Sequence, residues 1–129
     1  MKLLFVTLLV VPLVGGVFSR WQKKEGPDLD QQVLDQLKAA GSDLSKPHSI
    51  DFFLYFPSED AAKQAAKDIE GDVDTVKVEL GADKKNWLCF ANKRMVPDHD
   101  KLVALRKHFN EVAHKGNGVY DGWGTEVVK

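Results

Sequence analysis

Beyond residue 27 the hydrophobic pattern switches back and forth between helical and strand periods. Leu29, Val33, Leu34 and Leu37 recur at helical spacing, Asp28 stands at an N-cap position, and Gly41 follows the last periodic residue. This predicts a helix of about three turns, closed by a residue that tolerates left-handed backbone. Gly41 to Pro47 reads as a loop, because a proline disfavours helix at the residue before it. His48 to Phe56 is the clearest strand: Ile50, Phe52, Leu54 and Phe56 fall on one face, and Asp51, Phe53 and Tyr55 on the other. Apolar side chains on both faces mark a central strand. Pro57 stops it and Ser58 caps a second helix, in which Ala61, Ala62, Ala65, Ala66 and Ile69 repeat up to Gly71. Those small residues imply close packing on a sheet.

Val76, Val78 and Leu80 alternate with Lys77 and Glu79, a strand with one wet face, and Gly81 to Asn86 supplies the turn to a strand from Trp87 to Asn92. Pro97 and Asp98 then open a third helix carrying Leu102, Leu105, Phe109 and Val112, which ends near Lys115 and Gly116. The rest is glycine-rich, with Val119-Tyr120 and Glu126-Val127-Val128 as candidate edge pairs. After the first helix the order is β-α-β-β-α-β, so the expected class is α+β: a ferredoxin-like sandwich preceded by one extra helix, occupying residues 28–129.

Residues 1–27 follow another pattern. Leu3 to Phe18 is apolar except for Thr7, preceded by Lys2, and contains Pro12 and Gly15-Gly16. As a helix the run is about 24 Å long, short of a hydrocarbon core of about 30 Å. Residues 1–19 therefore read as a signal peptide cleaved near Ser19 (or after Gly16), which places the domain in a periplasmic or secreted compartment. Arg20, Lys23 and Lys24 directly after the run favour the alternative, a membrane tether through residues 3–18. Residues 20–27 form a polar linker.

Charge narrows the partner. Residues 20–129 carry 17 Lys and Arg against 19 Asp and Glu, a net charge of −2. There is no basic stripe, so direct nucleic-acid binding is not expected. One cysteine, Cys89, excludes an intramolecular disulfide and reads as a small core residue. His48, His99, His108 and His114 lack ligand spacing, and no metal or other cofactor is implied. Asp98-His99-Asp100 sits at a helix start, where capping is the expected role. No nucleophile elbow, phosphate loop or dinucleotide fingerprint is present, so no catalytic residue is assigned. Tyr120-Asp121-Gly122-Trp123-Gly124 remains the candidate site. Read as a glycine-flanked loop, it either presents two aromatics and a carboxylate to a partner or packs Trp123 over the sheet, with Tyr120 and Asp121 outward.

Several segments together carry a family likeness. Gln36 to Pro47, Ile50-Asp51-Phe52-Phe53-Leu54-Tyr55-Phe56-Pro57, the alanine-rich helix, the Trp87 strand and Gly118-Val119-Tyr120-Asp121-Gly122-Trp123-Gly124 resemble, in that order, the regulator of ribonuclease E activity B family. The resemblance covers about residues 28–128. It implies a ferredoxin-like domain that inhibits an RNA-degrading endonuclease by binding it, with no reaction of its own. Tyr120, Asp121, Gly122 and Trp123 are then candidate partner contacts. The export-like segment raises a different reading, an extracytoplasmic small-ligand-binding or enzymatic domain that uses the Tyr120–Trp123 loop.

Overall fold

The computed structural model describes residues 28–129, and the segments read above as leader and linker lie outside them. Seven elements follow in order: helix α1 (Leu29–Ala39), strand β1 (His48–Phe56), helix α2 (Glu59–Ile69), strands β2 (Thr75–Leu80) and β3 (Trp87–Met95), helix α3 (His99–Lys115) and strand β4 (Val119–Gly124). The strands form one antiparallel sheet in the order β2-β3-β1-β4. β1 and β2 run the same way with β3 between them, so the α2 crossover makes the split βαβ unit expected from the sequence. Among the described residues no helix is long and apolar enough to cross a membrane.

Local chemistry sets the element ends. Asp28, Ser58 and Asp98 each accept a hydrogen bond from the amide three residues on, at 3.1, 3.2 and 3.1 Å, satisfying amides that have no partner within the first turn of a helix. α1 closes with Gly41 at φ +94°, while Ser42 N–H donates to the Leu37 carbonyl and Gly41 N–H to that of Lys38. That pairing is the Schellman arrangement. In the β2–β3 turn the Asp83 carboxylate accepts from the amides of Lys85 and Asn86, each at 2.9 Å. At Gly118 the chain passes so close to β1 that an added Cβ would lie 2.2 Å from the Tyr55 carbonyl oxygen, so only glycine fits.

Burial along β1 alternates as its sequence does. Ile50, Phe52, Leu54 and Phe56 are at most 1% exposed, whereas Asp51, Phe53 and Tyr55 are half-buried. The first set meets Val33, Leu34 and Leu37 of α1, Ala62, Ala65 and Ile69 of α2, and Leu102, Phe109 and Val112 of α3 in one core. Phe52 and Phe109 touch edge to face with centroids 5.2 Å apart. Two boundaries differ from expectation. β3 runs to Met95 rather than Asn92, because β1 pairs with it over its full length. Glu126 to Val128 form no strand. The tail is held to the α1–β1 loop instead: Val128 N–H donates to Ser42 Oγ at 2.9 Å, and its carbonyl accepts from Asp43 N–H at 2.6 Å.

Phe52→Ala is expected to lower unfolding free energy by about 3–5 kcal/mol, since it removes a fully buried ring from the sheet's centre. Asp51→Ala on the opposite face should cost far less. Equal losses in chemical denaturation would mean that the two faces are misassigned.

α1 and α3 also meet at their first turns, where His99 Nε2 lies 2.7 Å from Asp28 Oδ2. Burial alone would raise the Asp28 carboxyl, but hydrogen bonds from His99 and the Gln31 amide, with nearby positive charge, hold it below its ordinary value. The same contact, helped by Asp100, pushes the His99 imidazole up. A raised imidazole stabilises the fold fully below its unfolded value of 6.5, and that contribution is lost as pH rises through the folded value. The depressed carboxyl acts above 3.8 and is lost as pH falls. The stability gap between the wild type and His99→Gln should therefore be widest at about pH 5–6 and close as the solution becomes alkaline. A gap independent of pH would show that the pair carries no charge-linked stability.

Candidate functional site

β4 passes through the whole Tyr120–Gly124 motif, so the motif is a strand and not the loop expected from its glycines. Two consecutive β1 partners fix its geometry: Phe52 faces Trp123 and Leu54 faces Tyr120. Three steps on β4 thus match two on β1. In a regular strand, residues three apart point to opposite faces. One extra residue at Gly122, whose φ of +96° an L side chain rarely adopts, brings both aromatics to the helix side. Tyr120 packs edge to face on Phe109 with centroids 5.7 Å apart, and Trp123 is 2% exposed. Trp123 thus lies where the packing alternative put it. Tyr120 corrects the outward alternative: its hydroxyl is enclosed, without a hydrogen-bond partner among the described residues, because the bulge turns it under α3.

The four motif residues do not form one surface. Tyr120 and Trp123 serve the core, Gly122 forms the bulge, and Asp121 is left exposed on the opposite face beside Phe53. Among the described residues a small-ligand site built on the two aromatics has no surface on which to form, since Trp123 is buried and the Tyr120 hydroxyl enclosed.

What the motif does grip is Asp30, which is 2% exposed on α1. Trp123 Nε1 donates to its Oδ1 at 3.0 Å, and Arg106 Nε of α3 donates to its Oδ2 at 2.7 Å. One carboxylate thereby ties α1, α3 and β4 together. The sequence held a signal for it: Asp30, Val33, Leu34 and Leu37 are the buried residues of α1, so a carboxylate occupies the first position of the core stripe. Such a group is tolerated inside only if its acceptors are filled.

Ser42 and His48 form a second buried polar cluster that sequence spacing did not suggest. His48 Nδ1 faces the Lys46 carbonyl oxygen at 2.8 Å, which assigns the proton to Nδ1. Its Nε2 then accepts from Ser42 Oγ at 2.7 Å, while that oxygen accepts from Val128 N–H. The pair has the contacts of a nucleophile and base, yet both residues are buried and the hydroxyl is saturated by the tail, so it clamps the C-terminus. The Cys89 thiol lies in the core, and burial pushes it up to about 11, far from a reactive thiolate at neutral pH. Among the described residues no group of three or more His, Cys, Asp or Glu could hold a metal ion.

The described residues therefore define a small α+β protein whose polar clusters are used to hold the fold, leaving one sheet face open. A family model described as regulator of ribonuclease activity B matches residues 27–125. The chain belongs to that family, as its sequence motifs led one to expect. A relative of that name from Pseudoalteromonas atlantica is 27% identical over 118 residues, covering 86% of this chain and 98% of its own length.

Arg106→Ala should strand the Asp30 carboxylate in the interior with the indole as its remaining partner, and cost about 3 kcal/mol, the scale of a broken buried pair. Arg106→Lys restores the charge without the fork and should recover part of that loss. An unchanged midpoint for Arg106→Ala would mean that the carboxylate is not held as described.

Proposed function

We propose that this chain is a non-catalytic regulator that acts by binding a protein partner, an RNA-degrading endonuclease, and inhibiting it. The family match over residues 27–125 carries this reading, since it takes in all three helices and the sheet through Gly124. Two features support it. The Ser42 hydroxyl, the group most like a nucleophile, is consumed by structure, and the open sheet face offers half-buried aromatics of the kind protein interfaces use. The charge of the described segment argues against direct RNA binding: residues 28–129 hold 14 Lys and Arg against 18 Asp and Glu.

We further infer from the apolar run at residues 3–18 that the chain is exported, with cleavage near Ser19, or held at a membrane by that run. Its ribonuclease would then be one that meets it in that compartment or at that surface. N-terminal sequencing of the native protein separates export from tethering.

The central test adds the purified full chain to an endonuclease of the ribonuclease E type from the same cells, with a defined RNA as substrate. Saturable loss of cleavage, with co-elution of the two proteins, is the expected result. Cleavage of the RNA by the chain alone, or unaltered endonuclease activity at saturating chain, would overturn the proposal.

A further inference from the structure

The sheet face turned away from the helices is patterned. Phe53 of β1 and Phe90 of β3, paired in register, meet edge to face with centroids 5.3 Å apart on the two central strands. Tyr55 and Leu88 form the next pair along, and Val119, opposite Tyr55 on β4, is 61% exposed. At that end lies a cavity of about 380 Å³ lined by Tyr55, Ala82, Asp83, Asn86, Val119 and Asp121. An aromatic ridge thus leads into a cavity with two carboxylates and no basic residue on its walls.

The charges are arranged asymmetrically. At the β2 side the chain supplies its own cation, with Lys77 Nζ 5.6 Å above the Phe90 ring and 3.7 Å from Glu79. At the cavity no lining residue is basic, and the nearest cation, Lys85, acts on Asp83 from outside the walls. Asp121 has no hydrogen-bond or ion-pair partner among the described residues, and the surrounding protein removes enough water to raise its carboxyl. Tyr55, Asp83 and Asp121 line the same cavity, and burial, then the charges of Asp121 and Asp83, push the Tyr55 phenol up. Asp83 is already held by the Lys85 and Asn86 amides and the Asn86 side chain, so Asp121 is the open acceptor. A planar cation able to stack on a phenol and reach that carboxylate suits the place, and the arginine guanidinium is such a group.

We propose that this face docks an extended, arginine-bearing segment of a protein partner, its guanidinium seated between Tyr55, Asp83 and Asp121 and its adjoining residues lying along Phe53 and Phe90. The inference rests on the reading of the chain as a protein-binding regulator and names the surface that does the binding. Stacked nucleotide bases would also suit two aromatics on central strands. Phosphates on that face, however, would meet Asp51, Asp121 and Glu79, with Lys77 and Arg94 as the opposing cations. The charge pattern favours a basic peptide.

The test uses the full chain and three fluorescent probes: a blocked peptide of alternating arginine and glycine, its citrulline counterpart, and a single-stranded oligoribonucleotide. The arginine peptide is expected to bind at least tenfold more tightly than the citrulline peptide. Asp121→Asn and Tyr55→Ala should each weaken it about tenfold, with the exposed Lys63→Ala on α2 unchanged and melting curves confirming that all variants are folded. Equal binding of the two peptides, indifference to both cavity variants, or tighter binding of the oligoribonucleotide would overturn the proposal. Endonuclease inhibition that survives in Asp121→Asn and Tyr55→Ala would sink this surface while leaving the regulator reading intact. Arginine-peptide binding that depends on the cavity, in a chain that inhibits no endonuclease, would do the reverse.

Discussion

A single buried carboxylate organises the end of the molecule where three elements meet. Asp30 projects from α1 into the core and is filled by the Trp123 indole of β4 and the Arg106 guanidinium of α3. Removing its water is costly, and only the two donors together make the position acceptable. For Trp123 to reach it, the indole must face the helices while Tyr120, three residues earlier, does the same. β4 must therefore carry one extra residue, and Gly122 supplies the backbone freedom for it. Docking of α1, closure of the core over Phe109 and the shape of the edge strand all follow from that pairing.

The bulge also decides what the other face looks like. With Tyr120 and Trp123 turned inward, β4 contributes Val119 and Asp121 to the open side. There they join Phe53, Tyr55 and Phe90 from the central strands, and the outcome is apolar at the middle and acidic at one end. The two faces differ in their use: one holds the fold through buried aromatics and a filled carboxylate, the other carries half-buried aromatics and a carboxylate, Asp121, that has no partner among the described residues.

Much of this was legible in the chain because the signals were local. Caps at Asp28, Ser58 and Asp98, the glycine that ends α1, and the two-faced alternation from His48 to Phe56 each depend on neighbours a few residues apart. The family motifs, too, are runs of adjacent residues. Asp30 does not stand out in the sequence because its partners lie 93 and 76 residues away, and a carboxylate in the first turn of a helix also suits the helix dipole. The Tyr120–Gly124 motif looked like a loop because Gly122 and Gly124 are poor strand formers, whereas a bulge needs such a residue. The outward expectation for Tyr120 rests on the low cost of leaving a phenol hydroxyl in water; the bulge that turns it to the same face as Trp123 depends on pairing with β1, which no local pattern announces. The Ser42–His48–Val128 clamp likewise joins segments that no short pattern connects.

Side-chain footprinting distinguishes the two faces of the sheet most directly, because they share a backbone and differ only in their side chains. Hydroxyl-radical oxidation of the full chain, alone and with the endonuclease, would be read residue by residue at Phe53, Tyr55 and Phe90 and at exposed positions of α2 and α3. The three aromatics are expected to be protected in the complex while the helical surface stays as reactive as before. Protection confined to the helices, with Phe53, Tyr55 and Phe90 unchanged, would contradict that expectation.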